Sequence, residues 1–305
     1  MPNDQPDTSR LPYKAWILLL LTALFWAGNV VASRNGVGEI SPMVLVTIRW
    51  GLVSLIMLTL SWRQLVADWP ALRSHWKLVA LMATFGFTGY QALYFTAAQH
   101  TSGMHLAILQ GVAPAFIFAG AWICYGTPIG LMRAIGLVLT MLGVATVATR
   151  GEPMRLSALD LNMGDAAMVV ASLFYAGYTV ALRKRPAVSA LGFFTCLSIF
   201  ATLSSLPLLA VEMAQGAAQW PSPKGWIVVA YIVIFPSLLA QIFFIRGVAA
   251  IGPGRASLFY NLVPVLGAIM AVTLLDEPFA AYHAAALGLS MGGILIAETL
   301  GGRKF

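Results

Sequence analysis

The sequence predicts an all-α integral membrane protein of ten transmembrane helices, arranged as two inverted five-helix repeats, and three observations predict it. The 305 residues are 59% hydrophobic and only 10% charged, with a mean hydropathy of +0.83, where soluble domains carry about a quarter charged residues. Apolar runs long enough to cross a bilayer, roughly 20 residues at about 1.5 Å each, recur ten times. The stretch FWAGNVVASR at 25–34 returns as FYAGYTVALR at 174–183, half a chain later.

The spans fall at 14–33, 42–62, 76–98, 103–125, 130–149, 164–183, 189–211, 225–249, 255–275 and 279–299. Turn-forming residues punctuate them, among them Arg34-Asn35-Gly36, Ser41-Pro42, Gly126-Thr127-Pro128, Pro221-Ser222-Pro223 and Gly252-Pro253-Gly254. Residues 1–13 and 300–305 read as tails, 14–150 and 164–299 as the repeats, and 151–163 as their linker. The first span has the outline of a signal peptide closing on Val31-Ala32-Ser33. Its copy deep in the chain assigns it instead to the finished fold.

The net charge of +7 sits in short loops between apolar runs, where it sets topology and argues against nucleic-acid binding. With the N-terminus cytoplasmic, twelve of the 18 Lys and Arg residues fall on the cytoplasmic side and four, Arg34, Arg150, Arg155 and Lys224, on the other. This bias predicts both termini on the cytoplasmic side, and the expected location is a bacterial-type plasma (inner) membrane. Cys124 and Cys196 lie in apolar runs without a CxxC or a neighbouring His, which supports neither a disulfide nor a zinc site. There is no GxxxxGK[ST] loop and hence no ATPase, and no HExxH or GxSxG motif of an intramembrane enzyme. No cofactor and no metal are expected.

The repeat extends well beyond the opening pair. At an offset of 150, Gln91 meets Gln241, Pro114 meets Pro264, Pro128 meets Pro278, Gly143 meets Gly293 and Thr149 meets Thr299. An odd number of spans per repeat forces the second copy to enter the membrane the other way round. Two oppositely oriented bundles can rock about a central site. In that arrangement Ala27-Gly28 and Ala176-Gly177 would let helices approach closely.

These residues are similar to the EamA-type transporters of the drug/metabolite transporter superfamily. The resemblance runs from about 15 to 299 and rests on the aromatic-Ala-Gly opening of each half, Arg49, and the paired blocks LAILQGVAPAFIFAGAWICYGTP (106–128) and ASLFYNLVPVLGAIMAVTLLDEP (256–278). It implies ten helices and export of small metabolites, amino acids or drugs. Such proteins carry an acid before the last helix of each half. Glu277 keeps it and Thr127 replaces it, which implies a structural role for the acid in at least one repeat.

Helix-weakening residues mark the centre of the bundle. Proline removes its own N–H and displaces the carbonyl four residues earlier, so Pro114 frees Gln110, Pro264 frees Tyr260 and Pro236 frees Ile232, with Gly86 as the counterpart of Pro236. Irregular backbone at membrane depth is tolerated against protein or a watery cavity. The candidate substrate-binding residues lie around these breaks: Trp26, Tyr90, Gln91, Tyr94, Gln110, Tyr175, Gln241, Phe244, Tyr260 and Asn261. The bland alternative is that their polar groups only tie helices together, worth about 0.6–2 kcal/mol per bond; for Trp26 and Tyr175 alone, packing is the better reading.

Arg49 lies well inside the second span, where an unpaired cation costs about 2.5–3.5 kcal/mol. Either it pairs structurally or it attracts an anionic substrate group. Asp165 reads as a first-turn charge favoured by the helix dipole. His100 lies in a loop, and His105 and His283 sit near helix starts, where single histidines are ordinarily solvated. The expected function is secondary transport by alternating access: export of small amphipathic metabolites, first of all aromatic or branched amino acids, by a monomer in the lipid bilayer. The alternatives are efflux of toxic compounds or metabolite uptake on the same fold; an intramembrane enzyme or a receptor is disfavoured.

Overall fold

The computed structural model describes residues 12–126, 130–152, 162–251, 259 and 262–296. Regular structure among them is helical throughout, as required of a chain whose backbone donors and acceptors must pair with each other in hydrocarbon. The helices are α1 (Pro12–Asn35), α2 (Pro42–Ser74), α3 (Trp76–His100), α4 (Gly103–Tyr125), α5 (Leu131–Ala148), α6 (Met163–Ala181), α7 (Ala190–Ala214), α8 (Pro223–Ile232, Val233–Leu239 and Ala240–Ile251), α9 (Leu262–Leu274) and α10 (Ala281–Leu295). Seven are long and apolar enough to span a bilayer, and three shorter apolar helices, within α5, α9 and α10, complete the ten. Exposed Trp62, Trp69, Trp76 and Trp122 at one end, and Trp220 and Trp226 at the other, are placed as interfacial anchors.

The inverted symmetry is visible in the packing. α1 lies against α8 as α3 lies against α6, and α2 with α7 and α5 with α10 form the two self-paired seams. In the α5–α10 seam a Cβ on Gly143 would meet Ser290 Oγ at 2.3 Å and Ala286 O at 2.8 Å, while one on Gly293 would meet Gly136 O at 2.4 Å and Thr140 Oγ1 at 2.7 Å. Adding 150 to each residue of the first half gives its counterpart in the second. Backbones this close leave room only for glycine. The α2–α7 seam is tied instead by hydroxyls, Ser54 to Thr202 at 2.9 Å and Ser61 to Thr195 at 2.7 Å.

Several expectations shift. α2 does not stop near residue 62 but continues to Ser74, through a non-helical Ser61 and past Pro70. The extension is amphipathic: Leu65 and Leu72 are buried, and Asp68 accepts from the backbone N–H of Ser189 at 3.0 Å and from its hydroxyl, which fixes the start of α7. Gly28 approaches α8 as expected, its missing Cβ leaving room for the Tyr231 hydroxyl, but Gly177 has nothing within 4 Å of a Cβ. Close approach at the glycine of that motif therefore belongs to the first half only, while Ala176 beside Gly177 is buried.

Candidate functional site

Matched breaks organise the middle of the bundle. Residues Thr84–Gly89 in α3 and Val233–Leu239 in α8 are π-helical, one extra residue being accommodated around Gly86 and Pro236 at corresponding places in the two halves. The carbonyl that Pro236 frees, that of Ile232, accepts from the Ser237 hydroxyl at 2.6 Å. The Pro236 carbonyl itself accepts from Trp26 Nε1 at 3.1 Å. Gly86 has a packing reason as well, since a Cβ there would meet Tyr178 at 2.3 Å. α4 breaks at Gly111-Val112, with Pro114 opening its second segment. Pro264 is buried near the start of the described part of α9, its ring 3.8 Å from the position of a Gly111 Cβ, so the breaks of α4 and α9 adjoin.

Beside the α3 break lies a circuit of side chains of which Arg49 is one member. Trp50 packs on Phe87 at 4.8 Å between centroids, Phe87 on Tyr178 at 5.2 Å, Tyr178 on Tyr175 at 5.9 Å and Tyr175 on Tyr90 at 5.4 Å. Tyr90 then packs on Tyr94 at 5.9 Å and Tyr94 on Phe95 at 5.4 Å. The Arg49 guanidinium closes the ring, 5.8 Å from the Phe95 centroid and 5.0 Å from that of Trp50. α2, α3 and α6 thus each contribute, joining the first half to the first helix of the second.

Arg49 is 4% exposed. Its Nη1 donates to Gln91 Oε1 at 3.0 Å; its Nε is buried with no hydrogen-bond partner, as is Trp50 Nε1. Aromatic faces attract a guanidinium by roughly 0.5–2 kcal/mol each, less than the several kcal/mol that burying a charge costs. The Nε–H of Arg49 is thus an unused donor, and a carboxylate is the acceptor that the forked geometry of arginine matches best.

The candidates named from sequence divide into groups. Gln91 is the hydrogen-bond partner of Arg49, and Tyr90, Tyr94 and Tyr175 belong to the same circuit of aromatic contacts. Trp26 and Phe244 pair with each other at 5.4 Å across α1 and α8. Gln110 turns back on its own helix, donating to Leu106 O at 3.3 Å, and Gln241 is half-buried in α8. Tyr260 and Asn261 lie outside the described residues. Trp50, Phe87, Phe95 and Tyr178 escaped notice, although Phe87, Gln91, Tyr94 and Phe95 recur at helical spacing.

The histidine expectation is corrected. His105 and His283 are buried, at 6% and 4% exposure. His105 Nδ1 contacts Asp165 Oδ2 at 3.0 Å and Oδ1 at 3.2 Å, and Asp165 also accepts from the Thr101 hydroxyl. Asp165 is in the first turn of α6 as anticipated, yet it is held by side chains from α4 and the α3–α4 turn rather than by the dipole alone. Two further carboxylates cap neighbouring helices. Glu277 accepts from the N–H groups of Gly103 and Met104, both at 2.7 Å, at the start of α4. Glu212 accepts from Met43 N, Val44 N and Ser41 Oγ at the start of α2. Each cap joins one half to the other, and the Glu212 cap left no spacing signal in the sequence.

A ten-helix bundle of two inverted repeats, broken at matched points beside a buried polar site, defines a membrane transporter. The chain belongs to the EamA-like transporter family, which matches it twice, over residues 13–149 and 162–299. It is 24% identical over 284 residues to YyaM, an uncharacterized transporter of Bacillus subtilis (strain 168), covering 93% of each chain. It is 25% identical to an uncharacterized transporter of Archaeoglobus fulgidus, over 87% of this chain and 90% of that one. A protein of known crystal structure shares the fold, with a TM-score of 0.65 at 19% identity over 95% of this chain and 97% of the other.

Proposed function

We propose that the protein is a secondary transporter that exports small zwitterionic metabolites with apolar side chains, aromatic or branched amino acids first, by alternating access. The observation that carries this reading is the unused Nε of a fully buried Arg49 within an aromatic ring. The guanidinium would take the carboxylate and the rings the apolar side chain. The amide of Gln91, able to turn a donor or an acceptor to a charged group, would adjust as the carboxylate arrives. Gly86 and Pro236 would be the yielding points as the halves alternate, and the Lys and Arg bias supports an orientation with both termini in the cytoplasm and the Arg34 end outside.

The test is a flux panel in sealed liposomes containing leucine, phenylalanine, spermidine and a nucleoside. Faster passage of leucine or phenylalanine, lost in Arg49→Gln at equal reconstitution, is expected. Faster passage of spermidine than of either amino acid would overturn the substrate class.

A further inference from the structure

At the Arg34 end of the bundle a cavity of about 520 Å³ opens between the two halves. Its wall includes His105, Tyr282 and His283, and Asp165 stands directly behind His105. The other charged and titratable groups facing it are Arg34 from α1, His100 from the end of α3, Arg150 after α5, and Glu277 before α10. Arg34 and Glu277 face each other at 4.0 Å, and Glu277 is further engaged in capping α4. Asp165 is different: it is 3% exposed, and its contacts here are the Thr101 hydroxyl and the His105 ring.

The hydrogen bonds fix where a proton can go. With Asp165 in its carboxylate form, which only accepts, the hydrogen between the two groups is on His105 Nδ1, and a neutral ring then has its lone pair on Nε2. That nitrogen is 3.4 Å from the Tyr282 hydroxyl, on the cavity wall. The neighbouring His283 is set the other way: its Nδ1 accepts the Ala280 N–H at 3.0 Å, so its hydrogen is on Nε2, which is buried without a partner. The two rings are 5.7 Å apart. One histidine thus offers an acceptor and the other is locked as a donor.

We infer that the His105–Asp165 pair is the coupling-ion site of this transporter and that the ion is a proton, taken from the Arg34-end cavity onto His105 Nε2. In this step a hydronium O–H bond breaks and the Nε2–H bond forms. Water is released, the ring becomes imidazolium, and Asp165 remains a carboxylate, now paired with a cation. The Tyr282 hydroxyl turns from donor to acceptor. The change acts across the seam between halves, because His105 and Thr101 belong to the first repeat and Asp165, Tyr282 and His283 to the second. It also acts at one end only: the repeat-related positions hold Trp16, Met132, Arg133 and Arg255, with no acid–histidine pair. A binding group confined to one end of an otherwise two-fold scaffold lets an ion gradient give transport a direction.

The inference rests on the transporter reading, and its test separates the two. The protein has only four histidines, so nitrogen NMR of ¹⁵N-histidine-labelled full-length protein in nanodiscs reads each tautomer. At pH 8 one signal, removed by His105→Gln, is expected in the Nδ1–H form. Lowering the pH to 5 should add a second ring hydrogen, on Nε2, to that signal. A His105 ring in the Nε2–H form, or one unchanged from pH 8 to 5, overturns the site. In liposomes holding a trapped pH dye, a leucine gradient should move protons through the wild type. His105→Gln should move no protons under the same leucine gradient, and an imposed pH gradient that drives leucine accumulation in the wild type should drive none in the variant. Proton movement as in wild type in that variant overturns the coupling. Should the titration appear as described while leucine crosses in no variant, the proton-binding site stands and the amino-acid reading falls.

Discussion

The two halves share a backbone plan and differ in where they place charge. In the first, Arg49 sits buried beside Gln91 within the aromatic ring. In the second, a shift of 148 to 150 residues brings Leu197, Ser198 or Ile199 to the place of Arg49, while Gln241 keeps the place of Gln91. The near-repetition is what the proposed alternating access would require, since each break then needs a counterpart. Binding makes no such demand. One buried cation serves a single substrate group, whereas two would repel each other and each carry a desolvation penalty. Symmetry is therefore kept in the breaks and in the glycines of the α5–α10 seam, and lost in the ionisable groups.

The largest expected effect comes from erasing that difference. Arg49→Gln should lower leucine flux at least about 30-fold, the equivalent of the roughly 2 kcal/mol lower limit for losing one partner of a buried charge pair. Arg49→Lys should recover only part of it, because an ammonium lacks the planar fork. Ser198→Ala, in the second half, should stay within about twofold; an equal loss there would mean that both seams are merely structural.

Next is the asymmetry of the opening motif. Gly28→Ala drives a Cβ to 2.0 Å from the Tyr231 hydroxyl, whereas at Gly177 nothing lies within 4 Å. The first should cost about 1–3 kcal/mol of stability, relieved by adding Tyr231→Phe. Gly177→Ala should be neutral or stabilising, since alanine is the better helix former. Thermal unfolding in detergent measures all three. Comparable destabilisation at both glycines would contradict the packing described.

How far the sequence was legible follows the same division. The ten spans, the inversion and the break at Pro236 were readable because hydropathy, the offset of 150 and the chemistry of proline are local or periodic signals. The partner of the freed Ile232 carbonyl was not readable, although it lies only five residues on, at Ser237, because nothing in the pattern tells a serine that reaches a carbonyl from one that does not. Arg49 was conspicuous as a lone charge, but its ring is drawn from three helices, and Tyr178 and Trp50 join it only once α2, α3 and α6 pack. His105 and Asp165 are 60 residues apart, and each alone resembles a solvated helix end.

A smaller effect tests the matched breaks. Ser237→Ala removes the hydroxyl that satisfies Ile232 O and should cost about 1 kcal/mol. The π-helical turn of α3, where Gly86 stands in place of a proline, should be unaffected, as hydrogen exchange across Thr84–Gly89 would report. Co-melting of both turns would mean that they are not separate weak points.

The smallest effect lies outside the membrane. Glu39, in the α1–α2 turn, accepts from the Ser222 hydroxyl and lies 3.5 Å from Lys224. The hydrogen bond from Ser222 first, and then Lys224, hold its carboxyl below the usual value of 4.5 against an opposing effect of burial. A depressed acid contributes stability that is present above 4.5 and is lost as the pH falls through its folded value. Ser222→Ala should therefore flatten the melting-temperature profile below pH 4.5 and leave the second-half core unchanged. A profile identical to wild type would remove this tie between the turns.

The central claim is that Arg49 recognises a carboxylate, and discrimination between leucine and leucinol tests it most directly, because the two differ only in that group. Competition against labelled leucine in liposomes should show wild type preferring leucine at least about 30-fold, with the preference reduced to within about threefold in Arg49→Gln. An unchanged preference in that variant would show that the carboxylate is bound elsewhere and that the buried arginine only holds helices together.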